Sequence, residues 1–303
     1  MKLLIDADSL LYGKDQDELE IAIKYLDTKI QTIIRETQIY EFALFLTSYK
    51  NYRKDVNSDY KMNRKDKVRP THILELRKHM EDTYEVIVLE GYEADDLVAS
   101  VYREDMYNYT IASIDKDILR NLPGKHFNLH YKKMCFNSYV NTEEANMNFC
   151  EQLLTGDKTD NIPSITLNQD ITDKYELSKV RGVGPATAKR IINNGVNKYG
   201  YTPLEVVMDA FRMSGESFDD QYKQISIGMF NKRPKMKFNT VDIPCDNTET
   251  GVYSGDFTIG FGKYKTKRVS WVHKNDNRYF NWLYENVDHF NKKCTDEGFK
   301  EEA

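Results

Sequence analysis

Tyr109-Thr110-Ile111-Ala112-Ser113-Ile114-Asp115-Lys116-Asp117 reads as a buried β-strand that runs directly into two acids. Working outward, the same arrangement recurs. Asp6 ends the apolar run Lys2-Leu3-Leu4-Ile5, and Glu93, Asp95 and Asp96 follow the strand-like Val86-Ile87-Val88-Leu89. Asp157 and Asp160 close a helix-like stretch, residues 142–155, in Gly156-Asp157-Lys158-Thr159-Asp160-Asn161. Acids at the carboxyl ends of buried parallel strands converge on one crevice in an open α/β sheet. So many like charges repel unless cations neutralise them, and oxygen-only donors suit a hard divalent ion, Mg²⁺ or Mn²⁺.

The elements around these acids alternate, which predicts an α/β core with a parallel sheet. Residues 15–36 carry apolar side chains near helical period. Residues 41–46, 86–89 and 110–114 read as further strands, and 126–131 with 135–140 as a hairpin turned at Lys132-Lys133. With 303 residues there is room for two or three domains. The balance of 43 basic to 48 acidic residues excludes a uniformly basic nucleic-acid binder but not a local patch. Cys135, Cys150, Cys245 and Cys294 form no Cys-x-x-Cys pair, which argues against a zinc ribbon or disulfide framework. His126 and His130 lie four apart in a strand-like stretch and read as structural. The chain has no long apolar run and no signal-peptide pattern, so a cytoplasmic protein without a membrane partner is expected.

Residues 50–69 break the rhythm. Eight basic residues face three acidic ones there, with Tyr49, Tyr52 and Tyr60 interleaved, as in segments that grip a single nucleic-acid strand by charge and stacking. After Thr155 the chain turns helical. Gly182-Val183-Gly184-Pro185-Ala186-Thr187-Ala188-Lys189 opens a helix, with Pro185 in its first turn and Gly195 as its expected stop. Backbone N–H groups at such a start can hold a phosphate. Thr202-Pro203-Leu204-Glu205 is a capping box for a helix ending near Gly215, and residues 163–179 read as a loop. Residues 242–256 are expected to be a linker and 277–286 a helix. The tail after Lys292 is charged and expected to fray.

Taken in order, these motifs resemble the phage and bacterial 5′–3′ exonuclease and flap endonuclease family, which includes phage ribonuclease H and the 5′ nuclease domain of bacterial DNA polymerase I. The resemblance runs from Leu3 to about Met229. Asp6 is similar to the first-strand aspartate, and Arg53 with Tyr60-Lys61-Met62-Asn63-Arg64 to the helical-arch signature. Glu93-Ala94-Asp95-Asp96, Asp115-Lys116-Asp117 and Gly156–Ile162 match the acidic motifs, and 182–188 the helix-hairpin-helix turn. What this implies is a PIN-like parallel-sheet nuclease core at 1–162 with its arch at 49–70. A helix-hairpin-helix region at 163–234 and a small appendage at 235–303 would follow.

The resemblance further implies a two-metal mechanism. Asp6, Glu93, Asp95, Asp96 and Asp115 would hold one Mg²⁺ or Mn²⁺, and Asp117, Asp157 and Asp160 the second. Asp115, Lys61 and Arg64 would be catalytic, the two cations acting on the scissile phosphate. Arg53, Tyr60, Lys61 and Arg64 would meet the 5′ strand, while Gly182, Val183, Gly184 and Lys189 hold the duplex, often with a bound K⁺. Implied partners are a DNA or RNA–DNA duplex with a 5′ end or flap, and a single-strand-binding protein or replicative polymerase. The expected role is primer or flap removal in phage replication, in the cytoplasm of a bacterial host.

One departure concerns the second strand, where the family usually places an aspartate and this chain has Ser48. A hydroxyl is a poor direct metal ligand, so first-metal affinity is expected to be lower. That substitution keeps a second class of function in view, a branched-DNA-binding protein that cuts weakly or not at all. A PIN-like ribonuclease shares the acids but has no use for the arch residues or the Gly-x-Gly turn. The segment Phe261-Gly262-Lys263-Tyr264-Lys265, with Tyr279 and Trp282, resembles a Gly-Lys-Tyr-Lys module found behind some DNA exonuclease domains.

Overall fold

The computed structural model describes residues 1–12, 18–65, 67–130, 134–177, 182–228 and 234–241. Beyond these it describes 259, 263–264, 267–287, 290 and 294. The chain forms two compact units, Met1–Asp242 and Ile243–Ala303.

The sheet of the first unit comprises β1 (Lys2–Asp6), β2 (Glu41–Phe45), β3 (Val86–Ile87), β4 (Tyr109–Ser113), β5 (Phe127–Asn128), β6 (Cys135–Phe136) and β7 (Asn239–Thr240). Its order is β3-β2-β1-β4-β5-β6, and β7 pairs with β2 beside β3. The β3-to-β5 run is parallel, while β6 and β7 join antiparallel. Side chains alternate across this sheet into two cores. Leu3, Ile5, Phe42 and Leu44 face one side, against α1 (Leu19–Thr37) and α3 (Ile73–Thr83). Leu4, Ala43, Phe45 and Ile111 face the other, against α4 (Ala94–Glu104) and α5 (Lys116–Asn121). Between β2 and α3 lies the short α2 (Arg53–Val56). Ala94, Leu97, Val98 and Val101 supply the apolar stripe of α4 at helical spacing.

Because the chain starts at the central strand, moves to β2 and β3, and then returns to β4, the winding reverses between β1 and β4. The carboxyl ends of those two strands therefore border the crevice where open α/β sheets bind ligands. Asp6 ends β1, and Asp115 follows β4.

A helical layer follows: α6 (Thr142–Thr155), α7 (Gln169–Lys174), α8 (Pro185–Tyr199), α9 (Pro203–Ser214) and α10 (Phe218–Ile225). It encloses its own core around Leu153, Ile171, Ile191, Val206 and Phe211. This layer begins with α6, before residue 162, and the two compact units meet in sequence at Asp242. The second unit is built on α11 (Val269–Asn275) and α12 (Asn277–Asn286), with Ile259, Val269, Val272, Phe280, Leu283 and Phe290 buried.

The structure corrects several expectations. Residues 163–179 are not all loop, because Asn168 caps α7 through the N–H of Ile171. Gly195 does not stop α8. A Cβ there would lie 2.4 Å from Val206, so this glycine lets α9 pack close, and the helix ends instead at Gly200 in the left-handed region. The third strand and the 127–136 hairpin are shorter than the apolar runs suggested, and β7 was not expected. Among the described residues of 49–70, helix is confined to α2 and a 3₁₀ turn at Met62–Arg64, since this polar stretch lacks an apolar period. Lys132-Lys133, Arg181, Gly260–Gly262, residues 242–256 and the tail after 294 lie outside the described residues. No described helix is long and apolar enough to cross a membrane.

Candidate metal centre

Asp6 is only 7% exposed, and its Oδ2 accepts a hydrogen bond from Ser113 Oγ (2.8 Å) across the β1–β4 pair. Burial, with the nearby charges of Asp8 and Asp115, pushes its carboxyl up to about 7. Asp115 caps α5, accepting from the Asp117 N–H at 2.7 Å, and is itself raised by burial and by Asp160. Asp117 is pushed up to about 7 by burial and the Asp115 charge. Burial and neighbouring negative charge thus disfavour ionisation of all three groups.

The loop after α6 delivers the last acids. Gly156 (φ +66°) is required there, since a Cβ would lie 2.3 Å from the Pro163 carbonyl oxygen. Asp157 and Ile162 then exchange backbone hydrogen bonds at 2.9 and 2.8 Å, which closes a tight loop. Against the cost of burial, Lys116 Nζ (2.8 Å) and the Thr159 N–H (2.7 Å) hold the Asp157 carboxyl below the usual range. One cleft is lined by Asp95, Asp117, Asp157 and Asp160, together with Arg53 and Tyr60. The structure thus brings the α4, β4 and α6 acids to a common opening.

The α4 acids divide by role. Glu93, Asp95 and Asp96 each present an oxygen within 4.8 Å of the others. Asp96, however, is 0% exposed and bound on both oxygens by Arg53, through Nη1 at 2.6 Å and Nη2 at 2.8 Å. Arg53 also donates to Glu93 (3.2 Å) and to the carbonyls of Gln224 (2.9 Å) and Ser226 (2.8 Å). At 1% exposure it is a buried staple between α4 and the end of α10, and not the nucleic-acid contact expected of it. Asp96, expected as a metal ligand, is the partner of this guanidinium. Asp95 is raised well above the carboxylate range by burial and by the Asp96 and Glu93 charges.

Tyr60 is likewise placed away from any stacking surface. It is 2% exposed and its hydroxyl donates to Glu93 (2.7 Å) and Asp160 (3.0 Å). Lys61, in the left-handed region at φ +57°, contacts Glu93 and Asp160, and Arg64 pairs with Asp160. Burial opposes the charge on Glu93, but Lys61 and Arg53 outweigh it and lower its pKa. The basic segment therefore lies directly over the acids.

Gly182 and Gly184 precede α8 with open space where a Cβ would stand, so neither packing nor a positive φ demands glycine there. Val183 is buried and Lys189 exposed. Ser48 is engaged locally: its hydroxyl donates to the Lys50 carbonyl and accepts from the Gly91 N–H. The sequence reading passed over Asp8, whose carboxylate accepts from the Thr47 N–H and hydroxyl. The signal was present, because Asp6-Ala7-Asp8 repeats the spacing of Asp115-Lys116-Asp117 at the end of the neighbouring strand.

An all-carboxylate donor set gathered from separate segments fits a hard divalent cation. No protein-family model matches the chain, and no curated protein matches it. Similar solved structures include the T5 D15 protein crystallised with metal ions (15% identity, 74% of this chain and 97% of that one, TM-score 0.46). Another is the Rad2 catalytic core in complex with DNA substrate (10%, 74% and 91%, 0.38). A third is human GEN1 in complex with Holliday junction DNA (7%, 70% and 72%, 0.36).

Proposed function

We propose that the protein is a divalent-metal-dependent 5′ nuclease, a 5′–3′ exonuclease or flap endonuclease that hydrolyses phosphodiesters at 5′ ends or flaps of DNA or RNA–DNA duplexes. The observation that supports this most is the gathering of acids from four separate segments at the switch point of a parallel sheet, beneath a basic segment that touches them. Bound Mg²⁺ or Mn²⁺ would supply the charge that activates water and stabilises the leaving oxygen. Asp6, Glu93, Asp95 and Asp115 would hold one ion, and Asp117, Asp157 and Asp160 the other, with Asp96 acting through Arg53.

Lys61 and Arg64 sit where they can exchange Glu93 and Asp160 for a substrate phosphate and neutralise charge developing on it. The N–H groups around Gly182 and Gly184, with Lys189, would hold a backbone phosphate of the duplex without reading sequence, and a K⁺ ion at this turn would add positive charge beside that phosphate. Primer or flap removal in phage replication, beside a single-strand-binding protein or polymerase, is the setting this activity suits.

The test is a 5′-flap duplex labelled at either end, incubated with Mg²⁺, Mn²⁺ or EDTA, alongside Asp115→Asn. Cutting near the junction that needs metal and disappears in the variant is expected. Tight flap binding without cutting in either metal would replace this reading with that of a branched-DNA-binding protein.

A further inference from the structure

The acids that sequence motifs single out do not include Asp8, yet its surroundings set it apart from an ordinary helix-start aspartate. It opens a 3₁₀ turn, Asp8–Leu11, but its side chain does not cap that turn. It reaches across to the end of β2 instead, where Oδ1 accepts from the Thr47 N–H (3.1 Å) and Oδ2 from the Thr47 hydroxyl. The same Thr47 oxygen accepts from the Ala94 N–H (3.0 Å), in the first turn of α4 between Glu93 and Asp95. Arg77 donates to the Thr47 carbonyl at 2.8 Å and fixes this strand end from α3. One threonine thus ties the acid-bearing start of α4 to the acid-bearing end of β1.

A further fact places Asp8 at the centre and not beside it. Strands β1 and β4 are neighbours with the winding of the sheet reversing between them, and their parallel register pairs Ile5 with Ala112. Asp8 and Asp115 therefore occupy equivalent places, each two residues past the end of its strand.

We propose that Asp8 is a further carboxylate of the divalent-cation centre, and that Thr47 is the positioning residue that fixes it in register with the α4 acids. The inference rests on the metal-dependent reading above and adds to it. Ser48 adds no carboxylate at the end of β2, so Thr47 recruits one from the β1 turn. Partners that orient a metal's carboxylates are typically worth roughly 10- to 100-fold in affinity.

The experiment is calorimetric titration of Mn²⁺ into the full chain for wild type, Asp8→Asn, Thr47→Val, Thr47→Ser and Asp115→Asn, with melting in EDTA measured for each. Asn keeps the shape of Asp8 and an acceptor for the Thr47 N–H while removing the charge. Val keeps the shape of Thr47 without the hydroxyl, and Ser restores that hydroxyl. Asp8→Asn and Thr47→Val are expected to weaken Mn²⁺ binding about tenfold or more, with Thr47→Ser near wild type. A purely structural tie would lower the EDTA melting points of both variants and leave affinity unmoved, which would overturn the proposal. Wild-type binding abolished by Asp115→Asn but intact in Asp8→Asn would overturn it alone. A wild type that binds no Mn²⁺ would overturn it together with the metal-dependent reading.

Discussion

Buried aspartates have opposite fates in the two layers of the first unit. In the helical layer Asp209 receives Lys174 Nζ (2.7 Å), the Tyr175 hydroxyl (2.6 Å) and Arg212. Despite burial, these partners hold its carboxyl below the ordinary range. At the carboxyl edge of the sheet, Asp6 and Asp117 are buried among other acids and pushed up to about 7. Asp209 is held by internal cations, whereas neither Asp6 nor Asp117 has a salt-bridge partner among the described residues and both remain able to take an external cation. Glu93, Asp157 and Asp160 at the same edge keep Lys61, Lys116 and Arg64, cations that a substrate phosphate or a metal ion would have to displace. Asp96 lies at the border, inside the acid cluster yet fully paired with Arg53.

The strongest way to break this division is to remove the internal cation. Arg53→Met leaves Asp96 buried without its cation, with only backbone N–H donors such as those of Glu93 and Gly228. Removing one partner of a buried ion pair typically costs about 3–5 kcal/mol. Urea unfolding in EDTA should show that loss. A change below about 1 kcal/mol would mean that Asp96 is not held by Arg53 in solution. Arg53→Lys should fare little better, because an ammonium cannot reproduce the two-oxygen contact and the two carbonyl contacts together.

Arg53 also marks where sequence reading stopped. Its motif position suggested nucleic acid, and only the fold shows α10 closing over it through the Gln224 and Ser226 carbonyls, more than 170 residues away. Elements carried by local signals were legible. Residues 142–155 are helical as expected, and the capping box at Thr202 and the stop at Gly215 are present. The parallel pairing of β1, β2 and β4 follows from fully apolar runs, which suit strands buried on both faces. What depended on distant partners was not legible. Gly195 looked like a helix stop until Val206 packed against it, and β7 is too short to carry an alternating pattern. The acids were recognisable as a group. Which of them the protein neutralises itself was not, because Lys61, Arg53 and Lys116 reach them through tertiary contacts.

Divalent metal should act on the two layers unequally, and the sign of its pH dependence sharpens the contrast. Asp6 and Asp117 have folded values near 7 against 3.8 for the free side chain, so they bind protons more tightly when folded. Without metal their contribution is fully present below about pH 4 and is lost as pH rises through about 7. Mg²⁺ binds the ionised carboxylates, so its stabilisation should grow between about pH 5 and pH 8, reaching about 2.7 kcal/mol at a hundredfold excess over Kd. Melting with and without Mg²⁺ across that range tests this. A metal-induced shift that is flat with pH would mean that these two carboxylates take no part in binding.

Asp209→Asn should remove charge-assisted hydrogen bonds worth about 1.5–3 kcal/mol, with no change in Mn²⁺ affinity. The wild-type contribution has the opposite pH sign to that of Asp6. It is present above the ordinary carboxylate value and lost as pH falls through the depressed folded one.

The smallest effect is the sharpest, because the same chemical change should reverse its sign between the two layers. Asp6→Asn retains an acceptor for the Ser113 hydroxyl and removes a charge that burial and the charges of Asp8 and Asp115 oppose. In EDTA at about pH 8 the variant should be more stable than wild type by roughly 0.5–2 kcal/mol, the scale of gain seen when a functional site is relieved of its strain. Below about pH 5 the gain should vanish, since wild-type Asp6 is then protonated and uncharged. Metal affinity and cutting should be lost at both values. If Asp6→Asn instead destabilises the protein at pH 8 as Asp209→Asn does, then Asp6 has an internal cation in solution, and the distinction between acids kept for structure and acids kept for an ion fails at its central residue.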